Sequence, residues 1–289
     1  IYIEIKWHKK FPKVCYMLKT IFALATGSQT SALAIIRVSG KESKNILESL
    51  TKKKVPTERV LSLRNFYYPH KEGIIDNCLV SWMPGPKSYT GEDSIEIYTH
   101  GGKAVFQGFF EAISTFKNVI YAEQGEFSKR AIMNGKINLI EAEAINDLIN
   151  SQTEQQRMLA VKQYKEGLSF SVKDWRKKII KCMTLVEASI DFSDEEDIPI
   201  KLEINKDLTE LSLAIKQAIE NSDYYELIKE GVKIAFKGKP NVGKSSIFNK
   251  ITKKENSIVS NQPGTTRDII EKKINLKGYA MVLYDTAGI

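Results

Sequence analysis

Gly238-Lys239-Pro240-Asn241-Val242-Gly243-Lys244-Ser245 decides the fold of the C-terminal part of this 289-residue chain. Its residue types are those of a phosphate-binding loop. Glycines let backbone N–H groups approach the α- and β-phosphates, Lys244 can reach the β- and γ-phosphates, and the Ser245 hydroxyl can ligate Mg²⁺. The flanks agree: Val232–Phe236 reads as a strand entering the loop, and Ser246–Ile251 as the helix leaving it, its N-terminus aimed at the anion.

Working outward, Tyr279–Tyr284 is an apolar strand that ends at Asp285, where a Mg²⁺-holding carboxylate belongs. Gly288 follows in Asp285-Thr286-Ala287-Gly288 and can offer a backbone N–H to a γ-phosphate. Between loop and strand lies Pro263-Gly264-Thr265-Thr266-Arg267-Asp268. It has two hydroxyls and is placed as a switch loop that closes on the metal. Each segment alone is a turn; in this order they predict a GTPase. Lys244 and Thr266 are the expected catalytic residues. The expected nucleotide contacts are Asn241, Val242, Gly243, Lys244, Ser245, Ser246, Ser260, Gly264, Thr265, Thr266, Asp285, Thr286, Ala287 and Gly288.

Composition bounds the rest. The 42% hydrophobic and 27% charged content is that of a soluble globular protein, with length for two or three domains. No apolar run is long enough to span a membrane. The three cysteines, Cys15, Cys78 and Cys182, have no metal or redox spacing, which suggests buried thiols, a reducing compartment and a cytoplasmic location. The net charge of +8 permits an RNA partner, although a lysine-rich proteome gives the same balance. Residues 1–16 lack periodicity; Glu4 and the absence of serine argue against a transit peptide, and Met17 is the expected start.

Residues 17–134 read as an α/β domain. Leu33–Val38, Cys78–Met83 and Ser94–His100 are strands, and Gly101-Gly102 opens a helix carrying Val105, Phe109, Ile113 and Phe116. Residues 135–230 read as a helical domain, with apolar residues at helical spacing in Leu139–Ile149, Ile179–Ile190 and Ile204–Ile219. The acidic turn Asp191–Asp197 reads as a solvated linker, since it lacks calcium-loop spacing. Residues 231–289 begin a P-loop domain, and 59 residues are too few to complete one. The expected fold class is thus α/β, then all-α, then partial α/β, and the chain reads as an N-terminal fragment without the guanine-selecting Asn-Lys-x-Asp motif.

Several longer motifs then stand in one order: Met83-Pro84-Gly85-Pro86-Lys87-Ser88-Tyr89-Thr90-Gly91-Glu92-Asp93, His100-Gly101-Gly102, Gly125-Glu126-Phe127-Ser128-Lys129-Arg130-Ala131, Asn134-Gly135-Lys136 and Glu141-Ala142-Glu143-Ala144. With them the chain resembles the MnmE (TrmE) family of tRNA-modifying GTPases from about Lys19 to Ile289. The resemblance implies a tetrahydrofolate-binding-like, homodimerising N-terminal domain and a helical domain into which the GTPase domain is inserted. It also implies work with an MnmG-type flavoprotein on the wobble uridine (U34) of tRNA, with 5-formyl- or methylene-tetrahydrofolate as one-carbon source.

On the same resemblance Arg37, Glu96 and Lys136 are the folate contacts. Two cations and one carboxylate suit a ligand with an anionic glutamate tail and N–H donors on its ring. The family's K⁺ site implies ligation by Asn241, Ser260, Gln262 and Thr265, and its Mg²⁺ site by Ser245 and Thr266, around GTP or GDP. Gln124 and Asn138 depart from frequent family residues without removing these groups. The family's second-switch glutamate and C-terminal cysteine motif are not in these residues. Two other readings remain: a ribosome-assembly GTPase of the Der or Era type, disfavoured because about 230 residues precede the loop, and a module that binds folate without turning over GTP.

Overall fold

The structure is a computed structural model that describes residues 19–27, 29–191, 200–238, 243–254, 257–258 and 270–285. Residues 1–16, most of the acidic turn, Asn241, Val242, Ser260, Gln262, Gly264, Thr265, Thr266, Thr286, Ala287 and Gly288 lie outside the described residues. The chain divides into two compact units, Ile1–Asn138 and Leu139–Ile289.

The first unit holds β1 (Thr20–Leu24), β2 (Ser31–Ser39), α1 (Ser43–Thr51), β3 (Ser62–Tyr67), β4 (Ile74–Met83), β5 (Ser94–Gly101), α2 (Lys103–Ser114), β6 (Val119–Tyr121) and α3 (Glu126–Met133). The six strands form one sheet in the order β3-β4-β5-β2-β1-β6, antiparallel except for the parallel β1–β6 pair. Period-two alternation sets its faces. Ile36 and Val38 on β2, paired with Ile97 and Ile95 on β5, join Phe22, Phe66 and Val80. Ile46, Leu47 and Leu50 of α1 and Phe109, Ala112 and Ile113 of α2 complete this buried cluster. Both helices therefore pack on one sheet face, and the intervening residues Ile35, Arg37, Glu96 and Tyr98 belong to the other.

Three sequence readings change. The strand expected from Cys78 begins at Ile74. The helix expected through Phe116 ends at Ser114, yet Phe116 still packs against the core. The short strands β1, β3 and β6 carried no sequence signal strong enough to be read, because their side chains are specified by neighbours distant in the chain.

The second unit holds α4 (Leu139–Asn150), α5 (Glu154–Glu166), α6 (Leu168–Asp191), α7 (Ile200–Glu230), β7 (Val232–Ala235), α8 (Lys244–Lys254), β8 (Ser257–Ile258), β9 (Ile270–Leu276) and β10 (Tyr279–Asp285). Thr153 starts α5 with a reciprocal capping box to Gln156. Apolar periodicity locates α4, α6 and α7 but not what the helices bury. Ile149, Met183, Ile190 and Ile219 are all more than half exposed, whereas Ala144, Ala160, Cys182 and Leu211 are buried. The four strands order as β7-β10-β9-β8. Lys277 and Gly278, both at positive φ, make the two-residue turn between β9 and β10, as a right-twisted hairpin prefers.

Both described cysteines are buried and free, and burial together with the Asp76 charge pushes the Cys78 thiol up to about 12. Among the described residues no helix is long and apolar enough to cross a membrane.

The His-Gly-Gly motif gains a physical role at the end of β5. Asp76 accepts from Thr99 Oγ1 at 2.6 Å, the His100 backbone N–H at 3.0 Å and His100 Nδ1 at 2.9 Å. Burial alone would raise the Asp76 carboxyl, but the Thr99 and His100 hydrogen bonds and the imidazole charge outweigh it and hold it below its usual value. A lowered carboxylate contributes stability above its unfolded pKa and loses it as pH falls through the folded one. Asp76→Ala is therefore expected to cost about 1–3 kcal/mol at neutral pH. Urea titrations of both proteins should show the difference shrinking below about pH 4.

Candidate functional site

The candidate nucleotide-binding half is built on two parallel strands. Val232–Ala235 of β7 pairs in register with Met281–Tyr284 of β10, and the Phe236 N–H reaches the Tyr284 carbonyl at 3.4 Å. Their C-terminal ends therefore lie side by side, with Asp285 as the last residue of β10 opposite Ile270. The chain leaving β7 passes Gly238 and turns at Gly243, whose φ of +95° favours glycine, into α8. Lys244, Ser245 and Ser246 form the first turn of that helix. There backbone N–H groups lack intrahelical partners and the helix dipole favours anions.

Phe248 is buried and packs edge-on against Phe236 at 6.0 Å, with Ile274 and Leu283 beneath. This apolar seam fixes the angle at which α8 leaves the loop. Lys244 Nζ donates to the Gly238 carbonyl at 2.8 Å. This bond joins the two described ends of the segment, Gly238 and the start of α8.

The second cluster lies on β2 and β5 of the first unit. The register places Arg37 opposite Glu96. Arg37 Nε donates to Glu96 Oε1 at 2.9 Å, and NH2 pairs with the same oxygen at 2.7 Å. Tyr98 donates its hydroxyl to Glu96 Oε2 at 2.9 Å. Burial first, then this bond to Glu96, raises the Tyr98 phenol pKa, so it stays a donor. The Arg37 guanidinium also lies 5.4 Å from the Tyr89 ring centroid and 5.6 Å from that of Phe127, within cation–π range.

Lys136 stands at the neighbouring loop. Its ammonium donates to the Pro86 carbonyl at 2.9 Å, and its methylenes lie against Gly91, where a Cβ would meet them at 3.3 Å. Gly91 has φ +80°, so bulk and conformation both call for glycine. Arg37 and Glu96 are thus in direct contact, and Lys136 joins them through the 84–93 loop that carries Tyr89.

Arg130 ties the loop and α3 together and was not singled out from sequence. It is 3% exposed. NH1 donates to the Lys19 carbonyl at 2.9 Å and to Glu92 Oε2 at 3.1 Å, and NH2 to Glu126 Oε1 at 2.9 Å. Ser39 adds a 2.7 Å bond to Glu92 Oε2, and Tyr89 shares a 2.9 Å bond with Ser128 of α3. Tyr89, Phe127 and Arg130 all sit in motifs visible in the sequence, but their partners come from other segments. For Tyr98 the signal was its place two residues after Glu96, on the same strand face.

The family described as "GTP-binding protein TrmE N-terminus" matches residues 20–136, and that described as "MnmE helical domain" matches residues 139–284. A protein of Pelagibacter ubique named tRNA modification GTPase MnmE is 44% identical over 272 residues, which is 93% of this chain and 61% of the relative. Proteins of the same name from Beijerinckia indica and Rhodopseudomonas palustris are each 42% identical, over 94% of this chain and 60% of their own length. The chain thus spans about three fifths of the curated relatives it matches. On the two family matches, which together run from strand β1 to strand β10, this chain belongs to the MnmE (TrmE) family.

Proposed function

We propose that this chain is the N-terminal part of a GTPase that acts in modification of the tRNA wobble uridine. The observation that carries the reading is the β7–loop–α8 unit beside the end of β10. Helix α8 begins beyond the C-terminal end of β7, beside which β10 ends at Asp285, and this arrangement supports a place for a triphosphate at the helix N-terminus. On this reading residues 231–289 are part of a P-loop GTPase domain and residues 135–230 the first half of a helical domain.

Lys244 would leave the Gly238 carbonyl for the β- and γ-phosphates, and the first-turn N–H groups would hold the α- and β-phosphates without reorganising. Ser245 and Thr266 would hold Mg²⁺, and Asn241, Ser260, Gln262 and Thr265 would supply oxygens to K⁺. The ions supply positive charge where negative charge develops between the β- and γ-phosphates. Gly264, Thr265 and Thr266 belong to the closing switch, and Val242, Thr286, Ala287 and Gly288 offer further backbone contacts.

The first unit is read as a folate-binding, homodimerising domain on residues 17–134, with Lys136 at its border. Arg37, with NH1 left over from its Glu96 pairing, would meet an anionic or carbonyl acceptor. Glu96 would take a ring N–H on its remaining lone pair, and Lys136 an anionic tail. A tRNA and an MnmG-type flavoprotein are the proposed macromolecular partners. The tRNA reading rests on the relatives' name and the net charge of +8; the flavoprotein, the homodimer and a cytoplasmic setting rest on the family resemblance.

Three outcomes test this. Lys244→Ala should weaken binding of a fluorescent GTP analogue about 10- to 100-fold, from the loss of charge-assisted hydrogen bonds; binding at wild-type strength refutes the nucleotide site. In a full-length protein built on this sequence, K⁺ should raise kcat far above the rate in Na⁺. Asn241→Ala should erase that difference with little change in GTP affinity, and equal rates in the two salts refute the ion reading. Arg37→Ala should weaken calorimetrically measured 5-formyltetrahydrofolate binding about 10-fold or more; unchanged affinity removes Arg37 from the site.

A further inference from the structure

The Arg37–Glu96 pair has an asymmetry that points to a third residue. Both guanidinium nitrogens, Nε and NH2, meet one carboxylate oxygen, Oε1. A contact through a single oxygen leaves the carboxylate able to pivot about its last torsion, which for glutamate is broad and weakly restrained. A bidentate pairing would have locked it. Here the lock comes from elsewhere, because the Tyr98 hydroxyl holds Oε2 at 2.9 Å.

Tyr98 is suited to that task. On β5 it lies opposite Leu79 of β4 and Ile35 of β2, so its ring is seated in a cross-strand row of apolar side chains. Its hydroxyl reaches back two residues along the same face. Arg37 is meanwhile held between the Tyr89 and Phe127 ring contacts and Glu96, and among the described residues its NH1 donates to none. Everything around the guanidinium is fixed except one donor edge and one carboxylate lone pair. The direction of that lone pair depends on Tyr98.

We propose that Tyr98 is a positioning residue. It fixes the Glu96 carboxylate, and through it the Arg37 guanidinium, in the orientation in which the pair meets its ligand. The proposal rests on the reading of Arg37 and Glu96 as ligand contacts and deepens it. Tyr98 itself makes no ligand contact; its contribution is preorganisation, which spares the ligand the entropy of ordering a long carboxylate side chain.

The test uses the 289-residue chain as wild type, Tyr98→Phe, Glu96→Gln and the double variant. Phenylalanine keeps the ring in its apolar row and removes only the donor. Calorimetry with 5-formyltetrahydrofolate is read beside NMR hydrogen exchange of the Arg37 Nε–H, which needs no ligand. Tyr98→Phe should weaken binding about fivefold, the worth of one hydrogen bond. Exchange at Arg37 Nε should quicken by a similar factor, about fivefold, as the pair opens more often. In the Glu96→Gln background the added loss should disappear, while the thermal midpoint of Tyr98→Phe stays near that of wild type.

Losses that multiply in the double variant would overturn the proposal, since Tyr98 would then act independently of Glu96. Unchanged Nε–H exchange would overturn it whatever the affinities. A wild type that binds no better than Arg37→Ala would instead sink the folate reading. The exchange measurement then decides alone on Tyr98, with faster exchange supporting the positioning role and unchanged exchange ending it.

Discussion

A buried guanidinium organises the first unit. Arg130 lies almost wholly out of water, where an unpaired charge would cost several kcal/mol. Its NH groups are shared among the Lys19 carbonyl, the Glu92 carboxylate and the Glu126 carboxylate. Those partners come from the start of the domain, the turn before β5 and the first turn of α3. If any of them moves away, the buried guanidinium loses a hydrogen-bond partner. The segments that deliver Tyr89, Phe127 and Lys136 to the Arg37 cluster are the ones this network fastens, so that cluster inherits its placement from a network beside it.

The two clusters solve the problem of holding a cation ready in opposite ways. Arg37 is braced by a carboxylate and two rings and keeps one edge available. A rigid planar fork favours this, since it has little conformational freedom to lose. Lys244 is parked on a neutral carbonyl at 2.8 Å. A flexible ammonium gains more from a phosphate than from a peptide oxygen. The second unit also links β10 to its helices. β10 ends at Asp285, and at its other end the Gly278 carbonyl accepts from the Gln155 N–H of α5 at 3.1 Å.

The helical segments show where pattern reading stops. Apolar residues at helical spacing locate α4, α6 and α7, because a 3.6-residue period is a property of the local chain. That period does not say which positions meet a neighbour. Leu211 and Cys182 are buried, whereas Met183 and Ile219 on the same helices are largely exposed. The helix α5 carries only a weak apolar stripe, so periodicity does not mark it; its capping box and its contact with Gly278 hold it.

The sequence by itself determined the strand–loop–helix at Gly238–Ser245, the strands whose alternation buries Ile36, Val38, Ile95 and Ile97, and the order of motifs that carries the family. All of these are encoded by residues close together in the chain, where dihedral preference, periodicity and spacing act. Only the tertiary structure decided that Arg37 pairs with Glu96, 59 residues away. It also decided that Tyr98 supplies the second bond to that carboxylate, and that Arg130 joins Lys19, Glu92 and Glu126. Charged and aromatic side chains in separate motifs have no local preference for one another. Strand register and the need to neutralise a charge removed from water select their partners, and both arise only when the distant segments are folded together.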